Sequence, residues 1–148
     1  MEHNHYRHLS IMAVLSFASM YALMYAMVDS FSNVYASINQ LYMAGLMTAP
    51  MVIIELFVMR GMYKDKRRNA VIIAVSVVAG VVFFAGIRQQ VGVGDSQFLR
   101  SMIPHHASAI LMCGEAPIGA PDIKKLCESI IMSQQAESDQ MKAMLARR

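Results

Sequence analysis

Near the end of the chain, residues 102–113 (M-I-P-H-H-A-S-A-I-L-M-C) hold two methionines, two histidines and a cysteine. At 3.6 residues per turn, Met102, His105, Ala109 and Met112 fall on one helix face. Imidazole nitrogen beside thioether sulfur is a donor set for a soft or borderline metal, copper above all. Gln134, Glu137, Met141 and Met144 repeat the spacing further on. The pattern predicts two helices that face each other with a metal on the shared face.

His105 and Met112 stand about 10.5 Å apart along a helix, whereas metal–ligand bonds are ~2.0–2.3 Å long. One ion does not easily take both. The primary site is therefore assigned to Met102, His105 and His106, completed by Met141, with Glu137 bound directly or one layer out. Met112, Met132 and Met144 are secondary. The competing reading makes the methionines hairpin core and the histidines polar residues satisfied by their neighbours.

Cys113 and Cys127 are the only cysteines, and they lie equally far from a turn centred on Ala120. A disulfide across the hairpin is the first reading; a loop of about 15 residues closed in this way is worth roughly 3 kcal/mol in the chain-entropy model. Two thiolate ligands for Cu(I) is the other.

The elements that must position these groups are not those of one soluble globule. Of 148 residues, 56% are hydrophobic and 16% charged, and the mean hydropathy is +0.41. The apolar residues come in blocks. Residues 9–27 and 70–87 carry no charge, and 38–59 carry only Glu55. Each block is about the length a helix needs to cross ~30 Å of hydrocarbon. The expected architecture is all-α, with a membrane domain over 1–88 containing three transmembrane helices and an extracytoplasmic helical hairpin over 89–148. The first block lacks both a strong basic leader and an A-x-A-like cleavage site, so it reads as an uncleaved anchor.

Residues 60–69 contain Arg60, Lys64, Lys66, Arg67 and Arg68 against Asp65, while 28–37 contain only Asp29. The positive-inside rule then places the second loop and the N-terminus in the cytoplasm and the hairpin outside. In a bacterium this means the inner membrane, with a periplasmic C-terminal domain. The net charge of +3 mostly reflects that loop, so no nucleic-acid partner is expected.

Within the blocks, Met20, Met24 and Met27 share a helical spacing, and Met43, Met47, Met51, Glu55 and Met59 follow a step of four. These stripes are a thioether ladder or, more simply, pliable packing. Pro50 predicts a kink. His3, His5 and His8 form a metal-binding tail or a plain polar one. Beyond a V-G-V-G hinge at 91–94, Asp95 is the expected cap of a first helix reaching about residue 116, kinked or restarted near Ser101 by Pro104. Residues 117–121 are the turn, and Asp122 caps a second helix reaching about 145. Folding about Ala120 sets Met102 opposite Ser138, His105 opposite Gln135, and Cys113 opposite Cys127.

The pattern D-x-x-F, M-x-x-H-H-x-x-A-I-x-M and I-I-x-x-Q-x-x-E-x-x-x-M resembles the domain-of-unknown-function 305 family (DUF305). It is carried here by Asp95, Phe98, Met102, His105, His106, Ala109, Ile110, Met112, Ile130, Ile131, Gln134, Glu137 and Met141. The resemblance implies a ferritin-like fold and, in some members, copper binding. It also implies a four-helix bundle where two hairpins occur; this chain carries one. Ser138 and Met144 stand where an aliphatic residue and a tryptophan are common.

The leading expectation is a membrane-anchored protein that binds copper, as Cu(I) or Cu(II), in metal homeostasis or resistance. It is not an enzyme, pairs as a homodimer, and has a metal transporter or chaperone as a further partner. The alternatives are a ferritin-like oxidase and a structural subunit with no metal role. A di-iron oxidase needs Glu-x-x-His pairs, and the hairpin contains none.

Overall fold

The structure is a computed structural model that describes residues 2–148, with side chains from Asn4 onward. Of the N-terminal histidines, His3 lies outside the described side chains. The chain is helical: α1 (Glu2–Leu23), α2 (Ile38–Val58), α3 (Lys66–Gln89), α4 (Asp95–Glu115) and α5 (Pro121–Leu145), with short 3-10 turns at Met24–Met27 and Phe31–Asn33. Three helical segments are long and apolar enough to cross a membrane: Asn4–Met27, Ile38–Val58 and Lys66–Gln89. Two compact units result. One comprises 1–23 and 39–91, the other 24–38 and 92–148.

In the first unit, Leu9, Val52, Leu56 and Tyr63 are buried together, with Tyr6, Met12, Ile72 and Ile73 packed around them. Burial, then the nearby Glu55 charge, raises the Tyr63 phenol above its usual range, so it stays protonated. α2 and α3 approach through small residues. The Phe83 ring lies against Gly45, where any Cβ would collide with it. A Cβ on Gly80 would sit 3.5 Å from Ala49, and one on Gly86 would sit 3.1 Å from the Tyr42 ring. Small residues of this kind let helix backbones close up where lipid supplies no hydrophobic drive.

α3 starts at Lys66 because Asp65 caps it, accepting hydrogen bonds from the Arg67 and Arg68 amides at 3.0 Å each. It ends at Gln90, which adopts a left-handed conformation (φ 50°). The polar residues before the first apolar block include no proline or glycine, and α1 runs through them from Glu2. At its other end α1 stops at Leu23, and the chain tightens into the 3-10 turn at Met24–Met27. Met20, Met24 and Met27 therefore do not form one α-helical face. Pro50 lies inside α2, which continues through it.

The second unit is the α4–α5 hairpin together with the 24–38 segment. Both 3-10 turns of that segment touch α4. The Ile38 amide donates to the Gln97 side chain at 3.0 Å. Inside the segment, the Tyr25 hydroxyl donates to the Tyr35 carbonyl at 2.9 Å, and the Asn33 amide donates to Asp29 at 2.6 Å.

Substituting Gly45 by Val should lower the unfolding midpoint in detergent, by an overpacking cost of about 1–3 kcal/mol. Gly61→Ala, at a position with open space around it, should leave the midpoint nearly unchanged. Equal midpoints for the two variants would contradict the close α2–α3 packing.

Candidate functional site

The hairpin core is a narrow seam. α4 buries Leu99, Ile103, His106 and Ala107, and α5 buries Ser138 with Ile130, Ile131, Gln134 and Met141 half-buried around it. These positions recur at three and four residues, as two packed helices require. Pro104 is itself buried and α4 is unbroken across it, so neither a break nor a restart at Ser101 occurs. The Ser101 and Ser108 hydroxyls bond back to the Gln97 and Pro104 carbonyls at 2.8 and 2.9 Å.

The two caps differ from expectation. Gly94 takes the extended capping position of α4, which moves Asp95 into the first turn. Asp95 there forms an ion pair with Arg148. At α5 the cap is Ala120 and Pro121 begins the helix, as suits a residue with no amide hydrogen to leave unpaired. Asp122 follows in the first turn, where its charge still favours the helix dipole.

Cys113 and Cys127 are joined by a disulfide, with Cα atoms 5.1 Å apart. Near the turn, therefore, the symmetry about Ala120 holds. Further out the register slips. His106 meets Glu137, not a residue at the mirror distance, and Asp95 meets Arg148 in the same register. Leu99 and Met144, which share that register, line one cavity of about 420 Å³. The cause lies in side-chain direction: every Cα–Cβ bond tilts toward its own helix N-terminus. In an antiparallel pair, the α5 partner of a long α4 side chain thus sits farther from the turn than residue counting suggests. Met102 accordingly falls level with Met141 rather than with Ser138.

His106 is the centre of this seam, 5% exposed. Its Nδ1 lies 3.0 Å from the Met102 carbonyl, and its Nε2 lies 2.8 Å from Glu137 Oε2. A carbonyl can only accept, so Nδ1 carries a proton and Nε2 is directed at the carboxylate. Glu137 is more than half exposed, which leaves the pair open to water on one side. Next to Glu137 in the chain, Ser138 is 1% exposed and its hydroxyl has no hydrogen-bond partner.

Of the site residues read from sequence, the structure thus brings together His106 and Glu137, with Met102 and Met141 in matching register. His105 points elsewhere. It is exposed, and its ring centroid is 6.2 Å from that of His106, as a step of ~100° around the helix dictates. Met112 is also exposed, beside the disulfide. Among the described residues, no three His, Cys, Asp or Glu side chains converge. Sequence reasoning did not find the Asp95–Arg148 pair or the Gln97 contact. The first could have been read from two opposite charges at the open ends of a hairpin.

The fold and site define a class: an all-helical chain with three helices fit to cross a membrane and a disulfide-closed hairpin built around a buried histidine. Residues 84–145 match the family described as Domain of unknown function (DUF305). The chain is also 30% identical over 141 residues to Uncharacterized protein L153 of Acanthamoeba polyphaga mimivirus, a match covering 93% of this chain and 91% of that protein. The chain belongs to the DUF305 family. The likeness to the viral protein extends beyond the hairpin into the apolar helices. No solved structure matches.

Replacing both Cys113 and Cys127 by Ser should destabilise the hairpin by about 3 kcal/mol. Non-reducing mass analysis of the unaltered protein should show the two cysteines joined within one chain. Two alkylatable thiols would contradict the assignment.

Proposed function

We propose that the chain is a membrane-anchored binding protein for copper, or another soft metal, that buffers or hands on the ion from its hairpin. The observation that supports this reading is the fixed orientation of His106. A histidine whose Nδ1–H is held by a backbone carbonyl presents Nε2 as a ligand, and such outer partners tune metal sites generally. Here Nε2 faces a carboxylate that water can reach. The unpartnered Ser138 hydroxyl marks the same stretch of the seam as polar. The donor set is His106 Nε2, the Glu137 carboxylate, and the thioethers of Met102 and Met141 from the next level of the register. This mixed nitrogen, oxygen and sulfur set suits copper. His105 and Met112 are peripheral.

In this reading the three apolar helices cross a bacterial inner membrane, with the basic 60–69 loop in the cytoplasm and the hairpin in the periplasm. Two copies pair their hairpins into a four-helix bundle of ferritin-like form. The exposed apolar residues Phe98, Met112, Leu126 and Met132 on the hairpin support such pairing. A copper transporter or chaperone in the same compartment is the exchange partner. The role is binding rather than turnover.

A second reading has one observation in its favour: both ring nitrogens of His106 already have protein partners. The histidine would then be a structural clamp, and the hairpin an interaction module.

Copper titration of variants separates the two. His106→Ala should abolish high-affinity Cu(I) binding with the helical signal retained, Met141→Leu should weaken binding, and His105→Ala should leave most of it. If His106→Ala binds copper as the unaltered chain does, the clamp reading stands. A reporter fused after Arg148 should be active only in the periplasm; cytoplasmic activity would overturn the orientation.

A further inference from the structure

The strongly basic end of the first unit is not used by the proposed metal site. Five cations and one carboxylate occupy residues 60–68, beside the first turns of α3. A cavity of about 540 Å³ opens here, lined by Tyr6 of α1, by Asp65, Arg67 and Arg68, and by Val71 and Ile72. Its lining is therefore charged at one end and apolar at the other. Arg68 is held in place, 3.0 Å from Asp65 and with its guanidinium 5.6 Å from the centre of the Tyr6 ring. Tyr6 is fixed in turn, donating from its hydroxyl to Asn69 at 2.9 Å. Asp65 offsets only part of the positive charge of two guanidiniums. Both arginines are exposed.

The same stripe of α3 continues as a second concavity. An open groove of about 430 Å³ runs along Ala74, Val75, Val78, Ala79, Val82 and Phe83. The alanines leave a trough between branched side chains. From Arg67 and Arg68 the stripe advances by three or four residues at each step, so headgroup-sized cavity and trough share one helix face. Val71 to Val82 rises about 16 Å, close to one leaflet, which is half of a ~30 Å hydrocarbon core. The other flank of α3 differs. A cavity of about 370 Å³ there includes Arg60 and Lys66, but beyond it Ser76 is buried and Gly80 packs on Ala49 of α2, so no trough follows.

We infer that this face of α3 is a binding site for one anionic phospholipid. Its phosphodiester sits on Arg67 and Arg68 beside the Tyr6 ring, and one acyl chain lies in the trough from Val71 to Val82. Guanidinium groups suit phosphate oxygens because they donate in a planar fork. The charge excess selects an anionic over a zwitterionic headgroup. The trough adds apolar contact that a free anion cannot make.

The test is native mass spectrometry of the full chain released from micelles containing dioleoylphosphatidylglycerol or dioleoylphosphatidylcholine. One phosphatidylglycerol should be retained under conditions that strip phosphatidylcholine. Arg67→Gln with Arg68→Gln should lower that retention about tenfold or more, while Lys124→Gln with Lys125→Gln, an equal charge loss on α5, should not. Deacylated glycerophosphoglycerol and inorganic phosphate should compete poorly. Equal retention of the two lipids, equal loss in the α5 variant, or full competition by the deacylated headgroup would each overturn the proposal. Should the arginine variant lose its helical signal, the lipid comparison and the headgroup competition on the unaltered chain still decide.

Discussion

The Cys113–Cys127 bond joins two helices across a five-residue connection, and the order of the second unit depends on it. Segments this small bury little apolar surface, and the α4–α5 seam is narrow: Leu99, Ile103, Pro104 and Ala107 of α4, a histidine and, on α5, a serine are its buried members. A covalent link at the turn end removes much of the freedom the unfolded segment would otherwise have. The far end is closed by charge, through Asp95 and Arg148. Between these two fixed ends, His106 and Glu137 meet at 2.8 Å. A polar pair at that level favours one register, because sliding α5 by a turn would leave a buried imidazole nitrogen without its acceptor, a cost of about 1–3 kcal/mol.

The first unit is held by different means. Its helices meet through glycine, alanine and two aromatic rings, and a buried apolar cluster lies at the basic end, around Tyr6, Leu56 and Tyr63. Tyr6 and Asn69 tie α1 to α3 there, and Asn69 also donates to the Tyr63 carbonyl at 2.8 Å. Most of the remaining apolar surface is outward-facing, as suits helices long and apolar enough to cross a membrane. Two kinds of cohesion thus sit in one chain, steric fit among apolar helices and covalent plus polar fixation in the hairpin.

Much of this was legible in the sequence, for identifiable reasons. Blocks of about twenty residues with at most one charge have few other uses, so the three long apolar helices could be read directly. The cysteines, equally far from Ala120 in the turn, pointed to their own pairing. Mirror counting failed for the long side chains because it ignores the tilt of Cβ, and so His106 meets Glu137 rather than its mirror residue Gln134. Helix caps were misread by one or two residues because Gly94 and Pro121 took the terminal positions before either aspartate could. The 24–38 segment gave least warning. Its packing on α4 includes a hydrogen bond to Gln97, whose partner amide lies 59 residues away in the chain, a contact that no local pattern encodes.

The proposed function turns on one ring nitrogen. If His106 is a metal ligand, Nδ1 keeps its proton on the Met102 carbonyl, while the proton held between Nε2 and Glu137 is released to water and the ion takes its place. Nitrogen-15 NMR of the full chain, before and after addition of Cu(I), observes this directly, since Cu(I) is diamagnetic. The account predicts a large shift at His106 Nε2, with Nδ1 still protonated and the His105 signals little changed. Unchanged His106 nitrogens, or a response confined to His105, would contradict it.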